Sequence, residues 1–114
     1  MSNYIKVHRM IDDVTADNIK MIAETIGLGL INYKNDYRLY KVGEKRKDGT
    51  IETCKRQYRS HGCVSLVGNS SSVCLYVSNL SEWFRTSAVL SCKKSKNCII
   101  IETANSFYEL MEET

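Results

Sequence analysis

Two histidines and five cysteines are the residues of this chain best suited to proton transfer, nucleophilic attack or metal binding. Their spacing argues against all three. His8 sits in Tyr4-Ile5-Lys6-Val7-His8, and His61 lies between Ser60 and Gly62. Neither has a nearby Asp or Glu in sequence to orient its imidazole, so a catalytic triad has no local support. Ser60, His61, Cys63 and Cys54 would have to meet across a hairpin to pair a thiol with an imidazole, and nothing in the sequence brings them together. Cys54, Cys63, Cys74, Cys92 and Cys98 are 9, 11, 18 and 6 residues apart, whereas zinc sites use close pairs such as C-x-x-C. An odd count cannot pair completely, and reduced thiols are the default. Cys74 in VCLYV and Cys98 in CIII read as small apolar side chains filling strands.

Phosphate loops fail the same inspection. Gly27-Leu28-Gly29 follows a helical pattern instead of opening one, Asn32 stands where a dinucleotide fingerprint needs its third glycine, and no G-x-x-x-x-G-K occurs. Gly68 to Ser72 offers small residues and backbone donors for an anion, but without a charge its composition is that of a hairpin connection. The chain therefore presents no motif for an enzyme, a metal or a cofactor.

Charge is distributed unevenly. The net +3 resolves into −1 over residues 1–33, +5 over 34–59, +3 over 60–98 and −4 over 99–114. Within the basic middle, Lys55, Arg56 and Arg59 flank Tyr58 on one strand, with Lys41, Lys45, Arg46 and Lys47 on or after its expected partner. Such a surface can grip phosphates, with tyrosine as a stacking platform. Strand alternation works against it, sending Lys55 and Gln57 to one face and Cys54, Arg56 and Tyr58 to the other. A solvated face or a charged guard on an edge strand would look the same.

The elements that position these residues must be few. With 114 residues, 43% apolar, 25% charged, 9% aromatic and no proline, the chain has room for one domain and a modest core. That composition excludes a multidomain enzyme, a disordered tail, a collagen-like repeat and a coiled coil. Met1 to Arg9 lacks an apolar stretch of signal-peptide length, and no run approaches the roughly 18 apolar residues of a membrane span, so a cytoplasmic protein without a membrane partner is expected.

Ile19, Ile22, Ala23 and Ile26 repeat at helical spacing, which predicts a helix from about Thr15 to Ile26, capped by Asp13 or Thr15 and stopped by Gly27. Asp12 and Asp13 put negative charge where the helix dipole favours it. A strand over Tyr4 to His8 precedes it. After Gly29 the pattern turns to strands: the short apolar run Leu28 to Tyr33, then Tyr37 to Val42 and Ile51 to Tyr58 around an Asp48-Gly49 hairpin, then Cys63 to Val67 and Val73 to Val77 around the Gly68 to Ser72 loop. Asn79 to Phe84 reads as a helical turn or crossing. Thr86 to Cys92 and Cys98 to Thr103 form a third hairpin around Lys93 to Asn97. Phe107 to Met111 either extends the last strand past a bend or starts a helix. The expectation is an α+β fold, one N-terminal helix packed on a mostly antiparallel, curved sheet of about six short strands, a curvature that a small barrel would close.

The last third also carries the most unusual local chemistry. Thr86, Ser87, Thr103, Asn105 and Ser106 place polar side chains inside β-forming segments. They either bond one another and the backbone at a bend or line a pocket with Arg85 and Tyr108. WFRTSAVLS followed by IIIETANSFYEL resembles a pattern, T-S-x-V then E-T-x-N-S-x-Y, of small uncharacterised bacteriophage proteins. The resemblance is confined to this C-terminal part and carries no catalytic residue with it. It implies a class: a phage-encoded host-takeover or counter-defence inhibitor, of which anti-CRISPR proteins are the familiar kind, that binds and blocks a host protein or protein–nucleic acid complex. Tyr37, Tyr40, Tyr58, Trp83 and Arg85 are then the candidate anchors, because Tyr, Trp and Arg dominate interface hot spots. Two alternatives stay open. One is nucleic-acid binding through Lys55, Arg56 and Arg59. The other is a sponge that sequesters a nucleotide signal near Arg85, Thr86, Asn105 and Tyr108.

Overall fold

The computed structural model describes residues 20–68 and 72–113. The expected strand Tyr4 to His8, the expected caps Asp13 and Thr15 with Asp12 beside them, and Asn69 to Ser71 lie outside the described residues. Residues 20–25 are helical. Ala23 is buried, with Ile22 and Ile26 packed beside it, as the apolar stripe requires. Gly27 ends the helix with φ +91°, and a Cβ at this position would stand 2.7 Å from the Cys92 carbonyl oxygen. Glycine thus supplies both the left-handed turn and the close approach to the sheet. A single 3-10 turn, Leu28–Leu30, follows.

Six strands make up the rest: β1 (Asp36–Lys45), β2 (Ile51–Gly68), β3 (Val73–Ser78), β4 (Trp83–Lys94), β5 (Ile99–Thr103) and β6 (Ser106–Glu112). Each pairs antiparallel with the next, and β6 returns to β1 to close a barrel. Closure leaves no end strands to the sheet. Alternate side chains point inward, and Leu39, Val64, Leu66, Val73, Leu75, Val77, Ile101 and Leu110 are fully enclosed, each worth about 2 kcal/mol of burial. One end is plugged by Leu28, Ile31, Tyr33 and Tyr37, all buried. The Tyr33 hydroxyl donates to the Leu28 carbonyl at 2.8 Å, and the Asn32 N–H donates to the Tyr37 hydroxyl at 2.9 Å.

The closed antiparallel barrel of six strands and the helix over residues 20–25 agree with expectation, but the described residues are mostly β, so the α part of the expected α+β fold is small. The strands absorb segments assigned elsewhere from sequence. β2 runs unbroken through 18 residues, because Ser60 and Gly62 continue the inward alternation as small buried residues. Its first part pairs with β1 and its second with β3, and Cys63 faces Asp36 on one side and Ser78 on the other. Asn79 to Phe84 forms a tight hairpin instead of a helical turn. Asn79 Oδ1 accepts from the Ser81 and Glu82 N–H groups at 2.8 and 3.2 Å, and the Asn79 N–H donates to the Glu82 carbonyl at 2.9 Å. Ala104 and Asn105 likewise reverse the chain, so Phe107 to Met111 belongs to a separate strand antiparallel to β5. No helix among the described residues is long and apolar enough to cross a membrane.

Candidate functional site

Closing the barrel through β1 and β6 places the acidic C-terminal strand beside the basic middle of the chain. Arg38 pairs with Glu113 at 3.4 Å, Lys45 with Glu102 at 2.6 Å and Arg56 with Glu109 at 3.2 Å. Lys41 and Arg46 find Glu44 and Glu52 within the middle segment itself. Five cations of the positive run, Arg38, Lys41, Lys45, Arg46 and Arg56, are therefore ion-paired, whereas Lys34, Lys47, Lys55 and Arg59 form no ion pair among the described residues. Lys55 remains exposed on the irregular stretch of β2, and Arg85 is exposed on β4.

What the outer surface does gather is aromatic. On β1, the Tyr40 ring carries the Arg56 guanidinium 4.1 Å from its centre and meets the edge of Tyr58 at 6.0 Å. The Tyr58 hydroxyl bonds Glu82 and lies 2.6 Å from His61 Nδ1, which is itself 3.2 Å from Glu82 Oε1. Glu82 leads directly into Trp83, whose ring stacks on Tyr76 at 5.6 Å and 24°. Tyr76 faces Arg85 across the β3–β4 ladder. Two groups, Arg56 with Tyr40 and Tyr58, and Trp83 with Tyr76 and Arg85, joined through Glu82, thus form a row across four consecutive strands on the outside of the barrel. Trp83 is 64% exposed, Tyr58 46%, and Leu80 at the tip of the β3–β4 hairpin is bare. A groove of about 300 Å³ lined by Arg38, Tyr40, Arg56, Met111, Glu112 and Glu113 adjoins the Tyr40 end.

The hairpin that presents Leu80 and Trp83 is tied down. Asn79 Nδ2 donates to the His61 carbonyl at 2.7 Å, and the Tyr58–Glu82 bond holds the far side of the turn. Loss of water around the Tyr58 hydroxyl, then its bond to Glu82 and that carboxylate's charge, pushes the phenol up to about 12 from 10.0. The same bond holds the Glu82 carboxyl below its ordinary value. Because the folded value of Tyr58 lies above the unfolded one, its contribution to stability is complete below about pH 10 and lost as pH rises through about 12. Alkaline titration of tyrosinate absorbance, with Tyr58→Phe as the reference, should show this late phenol, and Glu82→Gln should bring it down toward 10. A Tyr58 that ionises at the ordinary value in the intact protein would remove the network.

Several expected site residues lie elsewhere. Tyr37, expected as an exposed anchor, is buried in the barrel plug. Thr86 and Tyr108 are buried inside the barrel, whereas Arg85, one residue from Thr86 on a strand, faces outward and Asn105 sits in an exposed turn. These four do not share a pocket. The polar cluster satisfies itself: Thr86 Oγ1 accepts from the Leu75 N–H at 3.0 Å, Ser87 donates to Thr103 at 2.8 Å, and Thr103 exchanges bonds with the Ser106 backbone. Arg59 leaves the outer row and lies over Phe84. Sequence reasoning missed Tyr76 and Glu82 in the row, and His61 and Leu80 beside it. The Asn79-x-x-Glu82 spacing was the available signal for the hairpin, but which strands it would join depends on register.

The cysteines are all unpaired. Burial alone pushes the Cys92 thiol up to about 12, and burial is the first cause of the upward shifts at Cys74 and Cys98. Among the described residues no three His, Cys, Asp or Glu side chains converge to hold a metal ion. Comparison with known protein families, with curated proteins and with solved structures gives no match.

Proposed function

We propose that the protein is a non-enzymatic binding protein that docks its outer aromatic row onto a host protein complex and blocks it, in the manner of a phage counter-defence inhibitor. The observation that carries this reading is Trp83, 64% exposed and stacked on Tyr76, beside a bare Leu80. Large aromatic side chains held on rigid strands lose little conformational freedom on binding and dominate interface energetics. The pairing of Arg38, Arg46 and Arg56 with Glu113, Glu52 and Glu109 favours a protein over a nucleic-acid partner, because phosphate binding draws on unpaired cations. A binding role also suits the histidine site. His61 is open to water on an outer face, and a Tyr58 phenol raised to about 12 is the reverse of an activated nucleophile.

The test is recovery of the tagged protein from a bacterial host with whatever complex it holds, comparing the unaltered chain with Trp83→Ala and with Lys96→Ala on the opposite hairpin. Trp83→Ala should weaken that complex by about 2 kcal/mol, roughly thirtyfold, with the thermal melt nearly unchanged. Lys96→Ala should retain it. The unaltered complex should also survive added salt, since the contact rests on aromatic rings and Arg56 is already paired with Glu109. A complex that dissolves steeply with salt and ignores Trp83 would instead indicate nucleic acid and overturn the reading.

A further inference from the structure

Lysines gather on the β4–β5 hairpin with nothing beside them to balance their charge. Lys93, Lys94 and Lys96 are exposed, and none forms an ion pair among the described residues. The reason lies in the neighbouring strand. Where β6 supplies Glu109 and Glu113 to Arg56 and Arg38, β5 sets Ile100 opposite Lys93 and Ile99 opposite Lys94. Alternation then separates the two lysines. Cys92 is buried on the inner side of β4, so Lys93 points outward and Lys94 returns to the inner side, past the end of the barrel wall.

There Lys94 lines a groove of about 380 Å³ at the plugged end of the barrel, with Asn97 and Cys98 from the same hairpin and Met111 and Glu112 from the end of β6. Buried Ile99 and Leu110 close its floor. The half-buried Met111 and Cys98 side chains offer an apolar lining. The Lys94 ammonium and the Asn97 amide, both exposed, bond no described residue. The groove thus combines room for an apolar side chain with open donors on one wall. Its other wall argues for a peptide instead of a nucleic acid. Glu112, bonded through Oε1 to Asn35 Nδ2, repels a chain of phosphates, while its second oxygen can accept a peptide N–H. Tyr37, the aromatic residue of the groove, is 4% exposed, so no ring is offered to stack a base.

We propose that the β4–β5 hairpin and this groove form a docking surface for an acidic peptide segment, whose carboxylates meet Lys93, Lys94 and Lys96 and whose apolar side chain enters the groove. These lysines are not part of the outer row, so the surface stands whether or not that row meets a protein. The test is fluorescence anisotropy with a short labelled peptide that carries one leucine between paired glutamates. It should bind saturably and weaken as salt is added. Replacing its leucine by serine should weaken binding severalfold, because the groove loses its apolar occupant. Lys94→Glu should weaken binding by about tenfold or more. Lys47→Glu makes the same charge change on the β1–β2 hairpin at the far end of the barrel, and should weaken it much less. Both variants alter exposed side chains and should melt like the unaltered protein. A single-stranded oligonucleotide of equal charge should bind more weakly than the peptide. No saturable binding of the peptide overturns the proposal, and so does an oligonucleotide that binds as tightly. Equal affinity for the leucine and serine peptides, or equal losses in Lys94→Glu and Lys47→Glu, overturns it as well.

Discussion

Gly62→Ala should destabilise the protein by about 3–5 kcal/mol, among the largest effects of any single substitution that adds one methyl group. Gly62 has φ +128°, a conformation that an L side chain rarely adopts. A Cβ here would also overlap the Ser78 carbonyl oxygen and stand 3.1 Å from the Asn79 Cβ. The clash is with backbone, so no side-chain rotation relieves it. Ser78 is the residue opposite Cys63 in the β2–β3 ladder, and Asn79 ties the next turn to the His61 carbonyl at 2.7 Å. Relief therefore requires the end of β3 to move outward, taking the hairpin with Leu80, Glu82 and Trp83 with it. Urea denaturation should show the loss of stability. In whatever fraction remains folded, the proposed complex should be weakened although no row residue has changed. A Gly62→Ala protein within about 0.5 kcal/mol of the unaltered one would show that the two strands do not approach this closely.

That dependence on one glycine also explains how far the sequence alone reaches. Local patterns were sufficient where the determinant was local: the helix stop at Gly27, the hairpin at Asp48 and Gly49, and the alternation of Val73 to Val77. They were insufficient where the determinant was a partner distant in sequence. Nothing local says that Ser60 and Gly62 carry β2 from one neighbour to the next, or that Arg59 falls in a bulge set by the register of β1. Charge misled for the same reason. The basic middle and acidic tail look like separate features until β6 lies against β1 and pairs Glu109 and Glu113 with Arg56 and Arg38. The fold sets Tyr40, Tyr58, Trp83 and Arg85, expected from residue type, and Arg56, expected from the basic run, on the outside of the barrel. The same rule selected Tyr37, because composition does not distinguish a tyrosine that plugs a barrel from one that coats it.

Thr103→Val should cost about 3 kcal/mol, nearly as much as many core truncations, although it preserves the shape of the side chain. Thr103 is fully buried where β5 turns into β6. Its hydroxyl donates to the Ser106 carbonyl at 3.0 Å and accepts from the Ser106 N–H at 3.1 Å and the Ser87 hydroxyl at 2.8 Å. Ser87 Oγ in turn accepts from the Asn105 N–H at 3.3 Å, so one oxygen organises the turn and fastens it to β4. Valine would leave the Ser106 N–H buried without this acceptor and Ser87 without its own, each unfavourable by about 1–3 kcal/mol. Thr103→Ser keeps the oxygen and removes one buried methyl, about 0.8 kcal/mol. The contrast separates the two accounts of this polar cluster. If its hydroxyls serve the fold, denaturation will rank Thr103→Val well below Thr103→Ser. If they are held open for a ligand, the valine variant should be as stable as the parent or more so, since desolvated hydroxyls waiting for a partner are themselves unfavourable. The closed set of bonds around Thr103 makes the first ranking the expected one.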